Sequence, residues 1–279
     1  MLSRLFRRKD GESIQDKIKD GRKFLPYILG PATDSWILWE EHIKIQAALD
    51  FIDQWNLEHP PELKLTLHTL LLRACAKTYP LHPRMNRFLA GKRYYQRNGI
   101  DISFSAKKEF TEAGGLLIFK RRFPPDESLQ DMLVSIREML NRDRKSETSD
   151  QEKETSLLLK LPRPLLMLGM AGVRALDFFN LLPYSFIEHN PMFASMFISN
   201  LGSLGLSSGW HHLYKFGNIA LFGVMGAPYD AAVVEDGQVV ARKLVSMKWT
   251  FDERIEDGLN AGRAAGTMTK FLEDPQSLL

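Results

Sequence analysis

The sequence predicts one mixed α/β domain. Three observations point to it: apolar residues recur at helical spacing in some stretches and at strand spacing in others, the two kinds are interspersed, and no composition break divides the chain. With 279 residues, 44% of them hydrophobic and 25% charged, the chain can bury a sizeable core. No repeat of fixed period is visible, which argues against solenoids and propellers.

Ile43, Ile45, Ala48, Phe51 and Ile52 fall on one helical stripe, predicting a helix over 43–55 that Pro60 and Pro61 stop. A second helix is predicted over 66–79, ended by Pro80, followed by strands over 100–106 and 115–119 and an amphipathic helix over 129–140. Residues 141–156 hold no apolar member and predict a solvated polar loop or mobile insertion. From 157 to 187 the chain turns strongly apolar, but Lys160, Arg163, Arg174, Asp177 and three prolines interrupt any bilayer-long span. This apolar insertion reads as a hairpin packed on the core; the alternative is an exposed lid that touches a membrane surface or a lipid substrate. Strands are predicted over 196–199 and 219–225. Asp236-Gly237, between the apolar runs 231–234 and 238–247, predicts a hairpin, and a last helix runs over 257–272.

A formal net charge of +3, with no basic cluster interleaved with aromatics, argues against nucleic acid as a partner. The single cysteine, Cys75, sits among Leu70, Leu71, Leu72, Ala74 and Ala76 and reads as a buried structural thiol. His42, His59, His68, His82 and His189 are scattered, so no metal site is expected. No phosphate-binding glycine loop or nucleophile elbow is present, and Gly202 and Gly205 read as turn glycines. Residues 1–9 alternate basic and apolar types without a secretory core, which points to a cytoplasmic protein. They read as part of a solvated basic tail over 1–19, with a short membrane-surface or partner-docking helix as the alternative.

Two segments about fifty residues apart carry the chemistry: Phe-Ile-Ser-Asn-Leu-Gly at 197–202 and Phe-Asp-Glu-Arg-Ile-Glu-Asp-Gly at 251–258. By periodicity alone they are a strand end and a polar turn before a helix. Together with the ending Phe-Leu-Glu-Asp-Pro-Gln-Ser-Leu-Leu, they resemble the catalytic domain of 2-oxo acid dehydrogenase acyltransferases, in the chloramphenicol acetyltransferase-like superfamily. Arg22-Lys23, Leu65-Thr66 and Pro83-Arg84-Met85-Asn86 extend the likeness over roughly 20–279. The resemblance implies a two-layer sandwich of a mixed sheet and packed helices, coenzyme A or acyl-CoA as substrate, and a homotrimer or multiple of three with active sites between subunits.

In that family the motif Asp-His-Arg-x-x-Asp-Gly supplies the general base, and a serine or threonine on a facing strand donates to the oxyanion. Carried over, the resemblance assigns Ser199 to the oxyanion, Asp257 and Gly258 to the end of the motif, and Arg22 to a pairing with Asp257. Asn200 and Arg254 support the site, and Glu253 stands where the family has histidine. A glutamate near pKa 4.3 is about four units below a thiol near 8.5, so proton transfer between them is uphill by roughly 5–6 kcal/mol. His211 and His212, in the segment after the oxyanion turn, are the alternative base. The chain starts at the catalytic domain, so no covalently bound lipoyl group is expected. Two functions stand side by side: an acyltransferase with an altered base, or a pseudoenzyme serving as an oligomeric scaffold or acyl-CoA-binding regulator. The apolar insertion and basic tail suggest a further alternative, lipid acyl transfer at a membrane.

Overall fold

A computed structural model of the chain describes residues 8–107, 116–145, 156 and 158–279. Its main sheet has the strand order β2-β10-β8-β7-β5-β6, with β9 paired to the free part of β10. The strands are β2 (Trp36–Lys44), β5 (Asp101–Lys107), β6 (Leu116–Arg122), β7 (Met196–Asn200), β8 (Leu221–Met225), β9 (Tyr229–Glu235) and β10 (Gln238–Asp252). β7 runs parallel to both β5 and β8, while β10 is antiparallel to β2, β8 and β9. β8 is buried at every position because it lies in mid-sheet, covered on both faces. β10 changes character along its length. Its first half is exposed in the hairpin with β9; from Leu244 it pairs with β2 and from Met247 with β8 as well, and becomes mostly buried.

Helices α2 (Gln46–Glu58), α3 (Leu67–Leu81), α4 (Leu129–Lys145) and α7 (Gly258–Glu273) contribute to the main core on one side of the sheet. α3 lies deepest: Leu70, Leu71 and Leu72 are all fully buried, because it packs against α2 and α7 as well as the sheet. Thr66 starts it through a capping box with Thr69, and Pro80 falls in its last turn. On the opposite face Phe197, Phe222, Val224 and Leu213 form a second cluster, the last contributed by the 201–220 loop.

A small sheet, β1 (Gly11–Ser13), β4 (Arg93–Arg97) and β3 (Arg87–Ala90), sits beside the main one. It corrects the expected tail over 1–19 for its described part. β1 pairs with β4, Ile14 and Ile18 are core residues, and Arg8 is buried between Asp10 and Asp177. Burial of the Arg8 charge is offset by those two carboxylates, which hold its guanidinium above the ordinary value.

The helix expected over 43–55 begins only at Gln46. Residues 36–44 alternate instead, with Ile37, Trp39 and Ile43 turned to the core and Leu38, Glu40 and His42 outward, and pair with β10 over their whole length. The apolar insertion is also corrected. It forms α5 (Arg163–Phe178) and α6 (Tyr184–His189), and no residue of α5 is buried, so it is not a hairpin packed on the core. The expected polar loop over 141–156 starts as the last turn of α4, to Lys145; residues 146–155 lie outside the described part.

Candidate functional site

Ser199 and Asn200 end β7, where Ser199 is in register with Val224 and Asn200 with Met225. Alternation turns Ser199 to the face of Phe197 and Asn200 to the helical face. The Asn200 amide oxygen accepts from the Ser203 backbone N–H at 3.1 Å, and its carbonyl accepts from the Ser203 hydroxyl at 3.0 Å, closing the turn. Gly202 is required there, since a Cβ would lie 2.4 Å from the carbonyl oxygen of Gly226.

Asn200 also lines a cleft of about 690 Å³ between the sheet end and α3 and α4. Phe104, Leu72, Leu133 and Ile136 give it apolar walls, and its lining carries the cations Lys64 and Arg137 and one acid, Glu62, 3.7 Å from Arg137. His68 lies in the wall with both ring nitrogens buried and without a hydrogen-bond partner, its ring edge-on to Phe104. Burial pushes its pKa down to about 4, so the imidazole is neutral.

The second segment forms a rigid corner after β10. Asp252, 3% exposed, accepts from the backbone N–H of Arg254 at 3.0 Å and from its guanidinium at 2.9 and 2.8 Å. Arg254 also donates to the carbonyl of Gly30. Its charge is therefore committed to Asp252, not to Glu253. The Glu253 side chain is exposed, while its backbone N–H is held by the carbonyl of Ser35.

Arg22, on α1 (Asp20–Ile28), ties this corner down. It donates to the carbonyls of Glu253 and Arg254 at 3.4 Å each and lies 3.8 Å from the Asp257 carboxylate and 3.7 Å from that of Glu256. Asp257 caps α7 by accepting from the Asn260 N–H at 2.9 Å. That hydrogen bond, with Arg22 nearby, holds its carboxyl below the ordinary value. Gly258 is the first residue of α7. Glu256, unremarked in the sequence reading, is 2% exposed and accepts from Arg87 at 2.8 Å. Only its place inside the motif hinted at it.

The structure does not bring Ser199 and Glu253 together in one chain. Glu253 follows Asp252, whose N–H bonds to Ala220 just before β8, whereas Ser199 lies beside Val224 near the other end of β8. Strand geometry separates them by about 13 Å along the sheet and about 10 Å across it.

His211 lies between these ends. It stacks on Phe222 at 4.0 Å, and its carbonyl accepts from Thr250. Its Nδ1 lies 2.7 Å from the His212 carbonyl, an arrangement that makes Nδ1 the donor and leaves Nε2 as acceptor. Burial holds its pKa below the ordinary value. His212 is exposed and stacked on His211. Cys75 is buried, its thiol pushed up to about 12 by burial and by the nearby charge of Glu41. Among the described residues no three His, Cys, Asp or Glu side chains are placed to hold a metal ion.

Residues 192–279 match the family described as 2-oxoacid dehydrogenases acyltransferase (catalytic domain). A curated relative, the dihydrolipoyllysine-residue acetyltransferase component of the pyruvate dehydrogenase complex of Bacillus subtilis, is 33% identical over 86 residues, 31% of this chain. The match spans 19% of that relative's length. Among solved structures, Azotobacter vinelandii dihydrolipoamide acetyltransferase superposes with a TM-score of 0.63 at 17% identity, over 98% of this chain and 93% of the other. The cubic core of a pyruvate dehydrogenase multienzyme complex gives 0.61 at 17%, over 98% and 93%. A chloramphenicol acetyltransferase gives 0.58 at 13%, over 94% and 99%. The fold is that of these acetyltransferases.

Proposed function

We propose that this relative of the 2-oxoacid dehydrogenase acyltransferase catalytic domain transfers an acyl group from coenzyme A, in sites completed between copies of the chain. The observation that carries the reading is the cleft that ends at Asn200. Its apolar walls suit the extended arm of an acyl thioester, Lys64 suits the phosphates of coenzyme A, and His68 offers unpaired ring nitrogens to the amides of the arm. A thioester threaded there reaches the tip of β7, and around it the Ser199 hydroxyl donates to the oxyanion as the carbonyl is attacked.

Glu253 of a neighbouring copy takes the incoming nucleophile's proton. The Asp252–Arg254 pair keeps Arg254 from neutralising it. A second copy has a surface to meet there. Phe24, Tyr27 and Ile28 on α1 and Leu259 on α7 are 61–65% exposed in the elements flanking the corner. This supports contact between copies, which we read as a trimer or a multiple of three; one neighbour in fold is described as the cubic core of a multienzyme complex. A second reading makes His211 the base, favoured by its Nδ1 contact to the His212 carbonyl.

Incubation with a panel of acyl-CoAs, reading released thiol, tests the function. Turnover that Glu253→Gln and Ser199→Ala abolish, with binding retained, is expected. Tight acyl-CoA binding without thiol release makes the chain a pseudoenzyme regulator instead.

A further inference from the structure

We infer that α5 and its flanking turns form a docking surface for an anionic lipid bilayer. α5 turns only a narrow stripe to the domain: Leu166, Met170, Val173 and Asp177, spaced by four, three and four residues, are half-buried. The rest is apolar and open, with Leu165 54%, Met167 73%, Leu168 69% and Phe178 47% exposed. Leu159 before it and Phe179 after it continue the patch at 66% and 58%. Single exposed apolar residues are ordinary, but a whole helix of them with no cover marks a contact surface.

Charge selects the occupant. From residue 156 to 183 the cations are Lys160, Arg163 and Arg174, all exposed, and the one acid is Asp177. Asp177 is spent on Arg8 at 2.6 Å, on the domain side. Lys160 and Arg163 stand at the N-terminal end of α5, where the helix dipole disfavours cations, so they do not serve helix stability. An anionic headgroup layer offsets that cost and pairs all three.

Length sets the mode of contact. Sixteen residues reach about 24 Å, short of the ~30 Å hydrocarbon layer, and no helix among the described residues is long and apolar enough to cross a membrane. α5 therefore lies in the plane of the interface, immersing its open side while the stripe stays on the domain. This inference stands apart from acyl transfer.

Co-sedimentation of the full chain with phosphatidylcholine vesicles, with and without phosphatidylglycerol, tests it. Binding to the anionic vesicles is expected, about tenfold or more stronger than to the neutral ones. Two variants should each lose that binding while keeping circular dichroism and assembly size: Leu165→Ser with Met167→Ser and Leu168→Ser, and Lys160→Gln with Arg163→Gln and Arg174→Gln. Absence of wild-type binding at saturating lipid overturns the inference, as does unchanged binding in both variants. A serine variant that alters assembly size while the wild type ignores lipid would assign α5 to a second copy instead.

Discussion

Ser199 and Glu253 stand near opposite ends of β8: Ser199 is in register with Val224, while Glu253 follows Asp252, whose backbone N–H bonds to Ala220. The proposed reaction asks both groups to act on one substrate, yet one chain holds them on different strands, so that reading requires a second copy. Ser199→Ala and Glu253→Gln chains, each inactive alone, should recover activity when unfolded and refolded together. Random mixing in a closed ring restores about a quarter of wild-type turnover. No recovery would place a complete site within one chain.

The base is distinguishable by substitution and by pH. With Glu253 as base, Glu253→Gln reduces turnover by about a hundredfold or more. With His211 as base, turnover falls on acidification at a pH below the ordinary imidazole value, because burial depresses that ring. In that case Glu253→Gln stays active and His211→Asn does not.

Glu256 should matter for stability more than any exposed acid of the motif. It faces Arg87 at 2.8 Å, with Arg22 and Arg84 each 3.7 Å away. Glu256→Ala leaves Arg87 largely buried and uncompensated, costing about 3 kcal/mol in urea unfolding. Glu256→Gln, which can still accept from Arg87, should cost less.

His68 makes stability depend on pH. Its ring titrates at about 4 in the fold against about 6.5 unfolded, so between these values the unfolded chain binds the extra proton. Its contribution is complete above about pH 6.5 and is lost as pH falls toward 4, a decline of up to about 3 kcal/mol. His68→Leu should flatten that part of the curve. Bound acyl-CoA, if it hydrogen-bonds His68, should shift it.

Several elements were legible because their cause is local. The Asp236-Gly237 turn needs positive φ at both positions, and both have it, at 51° and 78°. The helix stripe from Ala48 to Ile52 and the fully apolar β8 announced themselves in the same way. β2 was missed because Ile43 and Ile45 fit a helical stripe as well as an alternating strand, and pairing with β10 decided the matter. His68 carried no signal, since nothing in its neighbours shows that Phe104 and α4 wall in the same cleft.

The sequence by itself determined a mixed α/β domain, through the period of its strands and helices, because turn chemistry and side-chain period act within a few residues; the acyltransferase fold was what the resemblance of its two motifs implied. Only the tertiary structure decided that Ser199 and Glu253 lie apart, that Arg254 belongs to Asp252, and that α5 leaves its apolar faces open. These depend on strand order and on which element covers which face, and a linear pattern states that a face is apolar without stating what meets it.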